Sequence, residues 1–167
     1  MTNEIKKSNI VFAVYPNANG FGFVYMENAR KLIDFGAVRV RPLGNKRIIE
    51  KIKQSLNYLR PSIVIVQEAE GKSSRTGNRV KNLIQNIVIL AKEMNLKVVQ
   101  YSRDQIRDVF EQFGASTKYE ISQALIKEFT ELEDKLPKKR KLWTSEDRNM
   151  AIFDALSLAL TWYYIKD

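Results

Sequence analysis

The acidic residues that could support chemistry fall in two parts of the sequence. Glu68 and Glu70 follow the apolar run at 63–66, and Asp154 lies within the apolar stretch at 152–160. A buried charge is costly unless it is paired with an opposite charge or bound to a metal. Asp154 is therefore the most informative carboxylate. It belongs either to a site or to an ion pair with a basic side chain on a neighbouring element.

The residue types that are missing narrow the possible chemistry. The sequence contains no cysteine and no histidine. The first absence excludes disulfides, thiol catalysis and thiolate metal sites, and the second removes the usual general base at neutral pH. Any catalysis must use Asp, Glu, Lys, Tyr, Ser or Thr. A bound metal should be a hard cation such as Mg²⁺ or Mn²⁺ held by oxygen atoms.

Basic residues outnumber acidic ones, 28 to 19, and give a formal net charge of +9. Such an excess favours a polyanionic partner such as nucleic acid, although many proteins use lysine simply for solubility. Two groups of basic residues could contact the phosphates of a DNA backbone. The first consists of Lys72, Arg75 and Arg79, and the second of Lys138, Lys139 and Arg140. The second group could equally be a solvated linker.

The chain has 167 residues, of which 44% are hydrophobic, so we expect a single domain over 1–167 with a substantial core. Apolar and β-branched runs predict strands, and helical spacing predicts helices. Thr117 and Glu120 form a capping-box pattern at one helix start. The predicted elements are strands at 9–15, 21–26, 32–40, 63–66 and 96–100, helices at 48–59, 80–94, 106–113, 118–129 and 145–165, and a basic exposed loop at 135–142.

The order of these elements predicts the fold class. Two tight connections join the first three strands, which indicates an antiparallel meander. Helices separate the later strands, so those strands should be parallel. The expected fold is α/β, with a mixed five-stranded sheet flanked by helices. A meander that leads into βαβ units is the layout of the ribonuclease H-like fold.

Four stretches add a more specific resemblance. They are VFAVYPNANGFGFV at 11–24, RPSIVIVQEAEGKS at 60–73, YSRDQIRDVFEQFGASTKYEISQAL at 101–125 and IFDALSLAL at 152–160. Together they span most of the chain in the order found in the RuvC-type Holliday-junction resolvases, which the sequence therefore resembles. The resemblance implies a nuclease for branched DNA that holds two divalent cations with four carboxylates.

Two of the four carboxylate positions depart from that family. Tyr15 stands where the first aspartate is expected, and Ala151 stands one turn before Asp154, where the family has another acid. A neutral phenol is a poor ligand for Mg²⁺. Tyr15 is then either a buried aromatic or a group that stacks on a base or hydrogen-bonds a phosphate.

Glu68 and Asp154 are the best matches to the remaining catalytic and metal-binding positions. A gapless count, however, places Gln67 in the second position, and a shift of one residue turns a strand side chain to the opposite face. Glu70 and Asp147 are possible substitute ligands. Asp147 would also suit a helix N-terminus, where acids interact favourably with the helix dipole.

The resemblance also implies nucleic-acid-binding residues and an assembly. Arg107 and Lys118 fall at the positions of two functional lysines, and the alternative for Lys118 is a solvated surface residue. The family dimerises through a helix that matches the one at 80–94, which has apolar residues on more than one face. A homodimer that engages junction DNA is the implied assembly, and a helix fully buried in a monomer is the alternative.

Three interpretations are compatible with these residues. The first is a branched-DNA-binding protein with a degenerate nuclease site and no cofactor. The second is an active Mg²⁺- or Mn²⁺-dependent endodeoxyribonuclease with a rearranged carboxylate site. A module that keeps only the fold is a third. No apolar run is long enough to span a membrane, and no signal peptide is apparent, so we expect a cytoplasmic protein without a membrane partner.

Overall fold

The computed structural model describes residues 9–69, 76–139 and 146–165. Its strands are β1 (Val11–Pro16), β2 (Gly20–Asn28), β3 (Lys31–Arg39), β4 (Ile63–Gln67) and β5 (Lys97–Tyr101). They form one sheet in the order β3-β2-β1-β4-β5. The first three pair antiparallel, β4 lies parallel to β1, and β5 lies parallel to β4. The predicted mixed five-stranded α/β fold is confirmed.

Helices cover both faces of this sheet. They are α1 (Asn45–Leu59), α2 (Asn78–Glu93), α3 (Arg103–Glu111), α4 (Lys118–Glu128), a 3₁₀ helix (Thr130–Lys135) and α5 (Met150–Ile165). Among the helices of the described ranges, none combines the length and hydropathy that a membrane span requires.

Local signals explain several helix ends. Arg60 takes a left-handed conformation, with φ of 45°, and ends α1 directly before Pro61. The hydroxyl of Thr117 accepts a hydrogen bond from the backbone N–H of Glu120, and the Glu120 side chain accepts one from the N–H of Thr117. The predicted capping box at the start of α4 is therefore present.

Two segments differ most from the prediction. α5 begins at Met150 rather than at 145, because the side chain of Asp147 accepts a hydrogen bond from the N–H of Asn149 at 2.8 Å and holds a turn there. The 3₁₀ helix is not predicted by the sequence pattern, since Leu132 is its only buried residue. The basic loop expected at 135–142 follows this helix and is described as far as Lys139.

The sheet separates two cores, because successive residues of a strand point to opposite faces. Ala13 and Ile65 pack with α5, whereas Val14 and Val66 pack with α1 and α2. α5 is buried from Met150 to Thr161. Asp154 therefore lies on a helix that is almost entirely inside the protein.

α5 crosses the sheet very close to β2. A side-chain carbon added at Gly22 would overlap the backbone carbonyl of Ala151. Gly22 is the strand partner of Tyr15, so this close approach brings the start of α5 to the end of β1. Ala151 is itself only 2% exposed, so the site can accommodate only a small side chain there.

Candidate functional site

A cleft of about 530 Å³ opens at the carboxyl ends of β1 and β4. The carboxyl ends of parallel strands are where open α/β sheets commonly bind ligands. Tyr15 and Gln67 line the cleft from the sheet, Gly77 lines it from the start of α2, and Lys118 lines it from the start of α4. The segment before α5 contributes Glu146, Asp147 and Arg148.

The ammonium group of Lys118 contacts three other side chains in and below this cleft. Its Nζ lies 3.1 Å from Oδ2 of Asp154 and 3.4 Å from Oε1 of Glu146. The same Nζ lies 5.1 Å from the centre of the Tyr15 ring, within the range of a cation–π contact. The side chain of Asp154 is only 4% exposed. The ion pair with a neighbouring element is therefore present, and its lysine also lines the cleft.

These contacts change the pKa values of the groups involved. Burial raises the pKa of Tyr15 to about 12, and the charge of Asp154 adds to the shift. Burial also raises the pKa of Asp154, and the ammonium of Lys118 opposes that shift. For Lys118, burial alone lowers the pKa, but the negative charges around it, chiefly Asp154, raise it above its ordinary value. At pH 7 the lysine is charged and the tyrosine is neutral.

Gln67, rather than Glu68, faces the cleft. Gln67 is the last residue of β4, is 7% exposed and lines the cleft. Glu68 is exposed and lines a separate pocket with Lys81 and Gln85 of α2. The structure therefore does not bring Glu68 together with Asp154. The gapless count, which places Gln67 in the second family position, agrees with this geometry.

The other acids do not complete a set of carboxylates around Asp154. Ala151 is packed against Gly22. Asp147 lines the cleft, but its Oδ1 accepts the hydrogen bond from Asn149 that holds the turn before α5. This is the helix N-terminal role that the sequence offered as the alternative for Asp147. Glu70 lies outside the described residues.

The guanidinium group of Arg79 is used inside the protein. Its Nη2 donates to the carbonyl oxygen of Asn17 at 2.7 Å, and its Nη1 donates to Oδ1 of Asn45 at 3.1 Å. The Asn45 side chain in turn donates to the Arg79 carbonyl at 3.0 Å. These bonds tie the β1–β2 turn, the start of α1 and the start of α2 together, so Arg79 has a structural role, and its DNA-binding role stays a prediction.

The other predicted nucleic-acid-binding residues are dispersed. Arg107 lies on α3 and pairs with Asp104 at 3.5 Å. Lys138 and Lys139 are exposed, and Lys138 lines a small pocket next to Lys118. Three more, Lys72, Arg75 and Arg140, lie outside the described residues.

Solved structures match this fold along most of its length, although no family profile and no curated protein matches the sequence. RuvC from Thermus thermophilus superposes with a TM-score of 0.65 at 19% identity, covering 94% of this chain and 95% of that one. The same protein in complex with a Holliday junction substrate gives 0.64, at 19% identity and 94% of both chains. The yeast mitochondrial Holliday junction resolvase Ydc2 gives 0.61 at 10% identity, covering 96% of this chain and 80% of that one. This chain has the RuvC-type resolvase fold.

Within this RuvC-type fold, the described residues of the cleft do not fit a two-metal centre. Two divalent cations need several converging carboxylates to offset their charge. In the described ranges, no three acidic side chains are grouped closely enough to hold a metal ion. Asp154 is already paired with Lys118, and Tyr15 and Gln67 are neutral. The described residues therefore provide hydrogen-bond donors and one carboxylate whose charge Lys118 balances. A metal centre would instead need several carboxylates whose charge balances the metal ions.

Three charged residues at or near the cleft are not evident from the sequence. Glu146 pairs with Lys118, and Arg148 lines the cleft while its Nη2 donates to the carbonyl of Ala37 at 3.1 Å. Arg103 acts electrostatically on Asp154. Arg103 lies two residues after the end of β5. Its position at the carboxyl end of a predicted strand could have indicated that it lies near the cleft. Glu146 and Arg148 belong to an irregular segment that carries no periodic signal.

Proposed function

We propose that this protein binds branched DNA of the four-way-junction type and does not cleave it. The observation that carries the proposal is the contact between Lys118 and Asp154, at 3.1 Å. Asp154 is the acid most expected to bind a metal ion, and a protein cation already neutralises it. A nuclease that works through two metal ions has little to hold them in such a cleft.

Charge and fold support DNA as the partner. The net charge of +9 favours a polyanion. Lys138 and Lys139 are exposed beside the pocket next to Lys118, where they can contact phosphates. The Thermus thermophilus protein with the same fold was solved in complex with a Holliday junction substrate, which makes junction DNA the first substrate to test.

We further propose that the protein acts as a homodimer. Ile89 on α2 is 53% exposed, whereas its neighbours Ile87 and Leu90 are buried in the core. An exposed isoleucine on a helix that also packs on the sheet is suited to an apolar contact between two copies. A two-fold assembly would present two equivalent clefts to the arms of one junction.

Binding and cleavage can be measured on one substrate. A fluorescently labelled four-way junction and a linear duplex of the same length are titrated with the protein in EDTA, and then in Mg²⁺ or Mn²⁺. We expect tighter binding to the junction than to the duplex in EDTA, with no product in either metal.

The alternatives predict different results. Metal-dependent cleavage that Asp154→Asn abolishes would establish the active endonuclease with a rearranged site and refute the proposal. Equal, weak binding to both DNAs would indicate a module that keeps only the fold. A monomer at the concentrations used for binding, measured by sedimentation, would refute the dimer alone.

A further inference from the structure

The side chain of Gln67 lines the cleft, and the whole residue is only 7% exposed. Among the described residues, its amide has no hydrogen-bond partner, although the Gln67 carbonyl accepts a hydrogen bond from Gln100. The side chain opens into the cleft, where solvent or a ligand can reach it. The group is therefore available for a ligand in the cleft.

The start of α2 lies on the same cleft. Its N-cap is Gly77, which has no side chain to cap the helix, and its first turn contains no acid. The first N–H groups of a helix lack partners within the helix, and together with the helix dipole they favour an anion. Gly77 and Val80 both line the cleft. Two independent features, the Gln67 amide and this helix start, therefore open into one space.

The chemistry of the remaining groups favours an acceptor-rich ligand. Lys118 is a cation, and burial raises the pKa of Tyr15 to about 12, so its hydroxyl remains a donor at neutral pH. Two acids also line the cleft, but both are engaged. Glu146 pairs with Lys118, and Asp147 accepts the hydrogen bond from Asn149.

We infer that a DNA phosphodiester binds directly in this cleft, between the Gln67 amide and the start of α2, without a bridging metal ion. The non-bridging oxygens of a phosphodiester only accept hydrogen bonds, and the cleft presents donors to them. A glutamate at position 67 would need a cation between itself and the phosphate, whereas a glutamine does not. This inference rests on the proposed junction binding and specifies how the cleft takes part in it.

The test compares junction binding in EDTA across three variants. Gln67→Glu places a negative charge against the phosphate, and Gln67→Met removes the amide at nearly the same size without adding charge. Gln85→Glu is the matched control, because it makes the same charge change at an exposed position of α2 outside the cleft. Thermal unfolding of each variant confirms that it is folded.

We expect Gln67→Met to raise the dissociation constant by about tenfold, since it removes a hydrogen bond to a charged group, with an unchanged slope against salt because a neutral donor releases no counterions. Gln67→Glu loses the same hydrogen bond and adds repulsion against the phosphate, so it should raise the dissociation constant further. Gln85→Glu should stay within about twofold of the unmodified protein.

Two results would overturn the inference. One is junction binding by the unmodified protein only when Mg²⁺ is present. The other is a folded Gln67→Met that binds in EDTA as tightly as Gln85→Glu. Both are distinct from failure of the proposed function, in which the unmodified protein shows no preference for the junction under any condition.

Discussion

Lys118 and Asp154 are 36 positions apart in the chain, yet Nζ of the lysine lies 3.1 Å from Oδ2 of the aspartate. The lysine is the first residue of α4, and the aspartate lies in the buried part of α5. The pair therefore joins two helices and neutralises a charge inside the protein. Breaking a buried pair by removing one partner leaves an uncompensated charge, which is more costly than losing the attraction alone.

Lys118→Met should therefore destabilise the protein by about 3 kcal/mol, measured by urea unfolding at pH 7. Adding Asp154→Asn should recover part of that stability, because no buried charge then remains. Lys127→Met is the matched control, since Lys127 is exposed on the same helix, and it should change stability by less than about 0.5 kcal/mol. Equal stability of Lys118→Met and Lys127→Met would contradict the role given to the pair.

The close approach of Gly22 to Ala151 makes a second prediction. Gly22→Ala inserts a carbon where the Ala151 carbonyl lies, so α5 must move away from β2. We expect the unfolding free energy to fall by about 3 kcal/mol, at the upper end for overpacking. Gly77→Ala is the control, because an added carbon there meets no atom within 4 Å. The idea fails if both substitutions cost the same.

Ala151→Asp tests whether the acid that the RuvC-type resolvases are expected to have at this position can be introduced. The position is 2% exposed and packed on Gly22, so a carboxylate there is both too large and buried. We expect Tyr15→Asp combined with Ala151→Asp to be poorly folded by circular dichroism and inactive on a four-way junction in Mn²⁺. A stable, cleaving double variant would show that the metal centre is lost only at these two residues.

Much of the fold could be predicted because its signals are local. The capping box of Thr117 and Glu120 and the helix stop at Pro61 each depend on residues close in sequence. The start of α5 at Met150 could not be predicted, because it depends on one hydrogen bond that the N–H of Asn149 donates to Asp147 in an irregular segment. Such a bond leaves no periodic pattern.

The site was less predictable for a different reason. Whether Gln67 or Glu68 faces the cleft depends on which residues of the five-residue strand β4 point to each face of the sheet. A shift of one residue exchanges the two faces, and so short a strand does not fix that choice in the sequence. The ion-pair partner of Asp154 lies on another helix, 36 positions away in the sequence, and only the packing of the two helices brings it close. The sequence indicates that Asp154 needs a partner, and the fold determines that the partner is Lys118.

The basic residues should separate into structural and DNA-contacting groups. Arg79 is bound to Asn17 and Asn45, so Arg79→Gln should lower stability. Lys138 and Lys139 are exposed, so Lys138→Gln with Lys139→Gln should leave stability unchanged. That double variant should reduce the slope of log affinity against log salt by about 1.8, or about 0.9 for each phosphate that is no longer neutralised. Junction binding by fluorescence anisotropy across a salt series measures this, and an unchanged slope would exclude the two lysines as phosphate-binding residues.

Tyr25 should make the protein sensitive to alkali. Its hydroxyl donates to the carbonyl of Ser55 at 2.6 Å, and burial raises its pKa from 10.0 to about 12. The folded protein then keeps this proton between pH 10 and 12, while the unfolded chain loses it. The stabilisation is complete below pH 10 and is lost as the pH rises towards 12.

Tyr25→Phe isolates this effect, because phenylalanine has no proton to lose. At pH 7 the variant should be less stable by about 1 kcal/mol, the value of the missing hydrogen bond. Between pH 10 and 12 the difference should shrink, since only the unmodified protein loses the contribution of Tyr25. The other tyrosines titrate in both proteins and cancel in the comparison. Urea unfolding at pH 8, 10 and 11 measures the difference, and a constant gap across that series would rule out Tyr25 as the source of alkaline sensitivity.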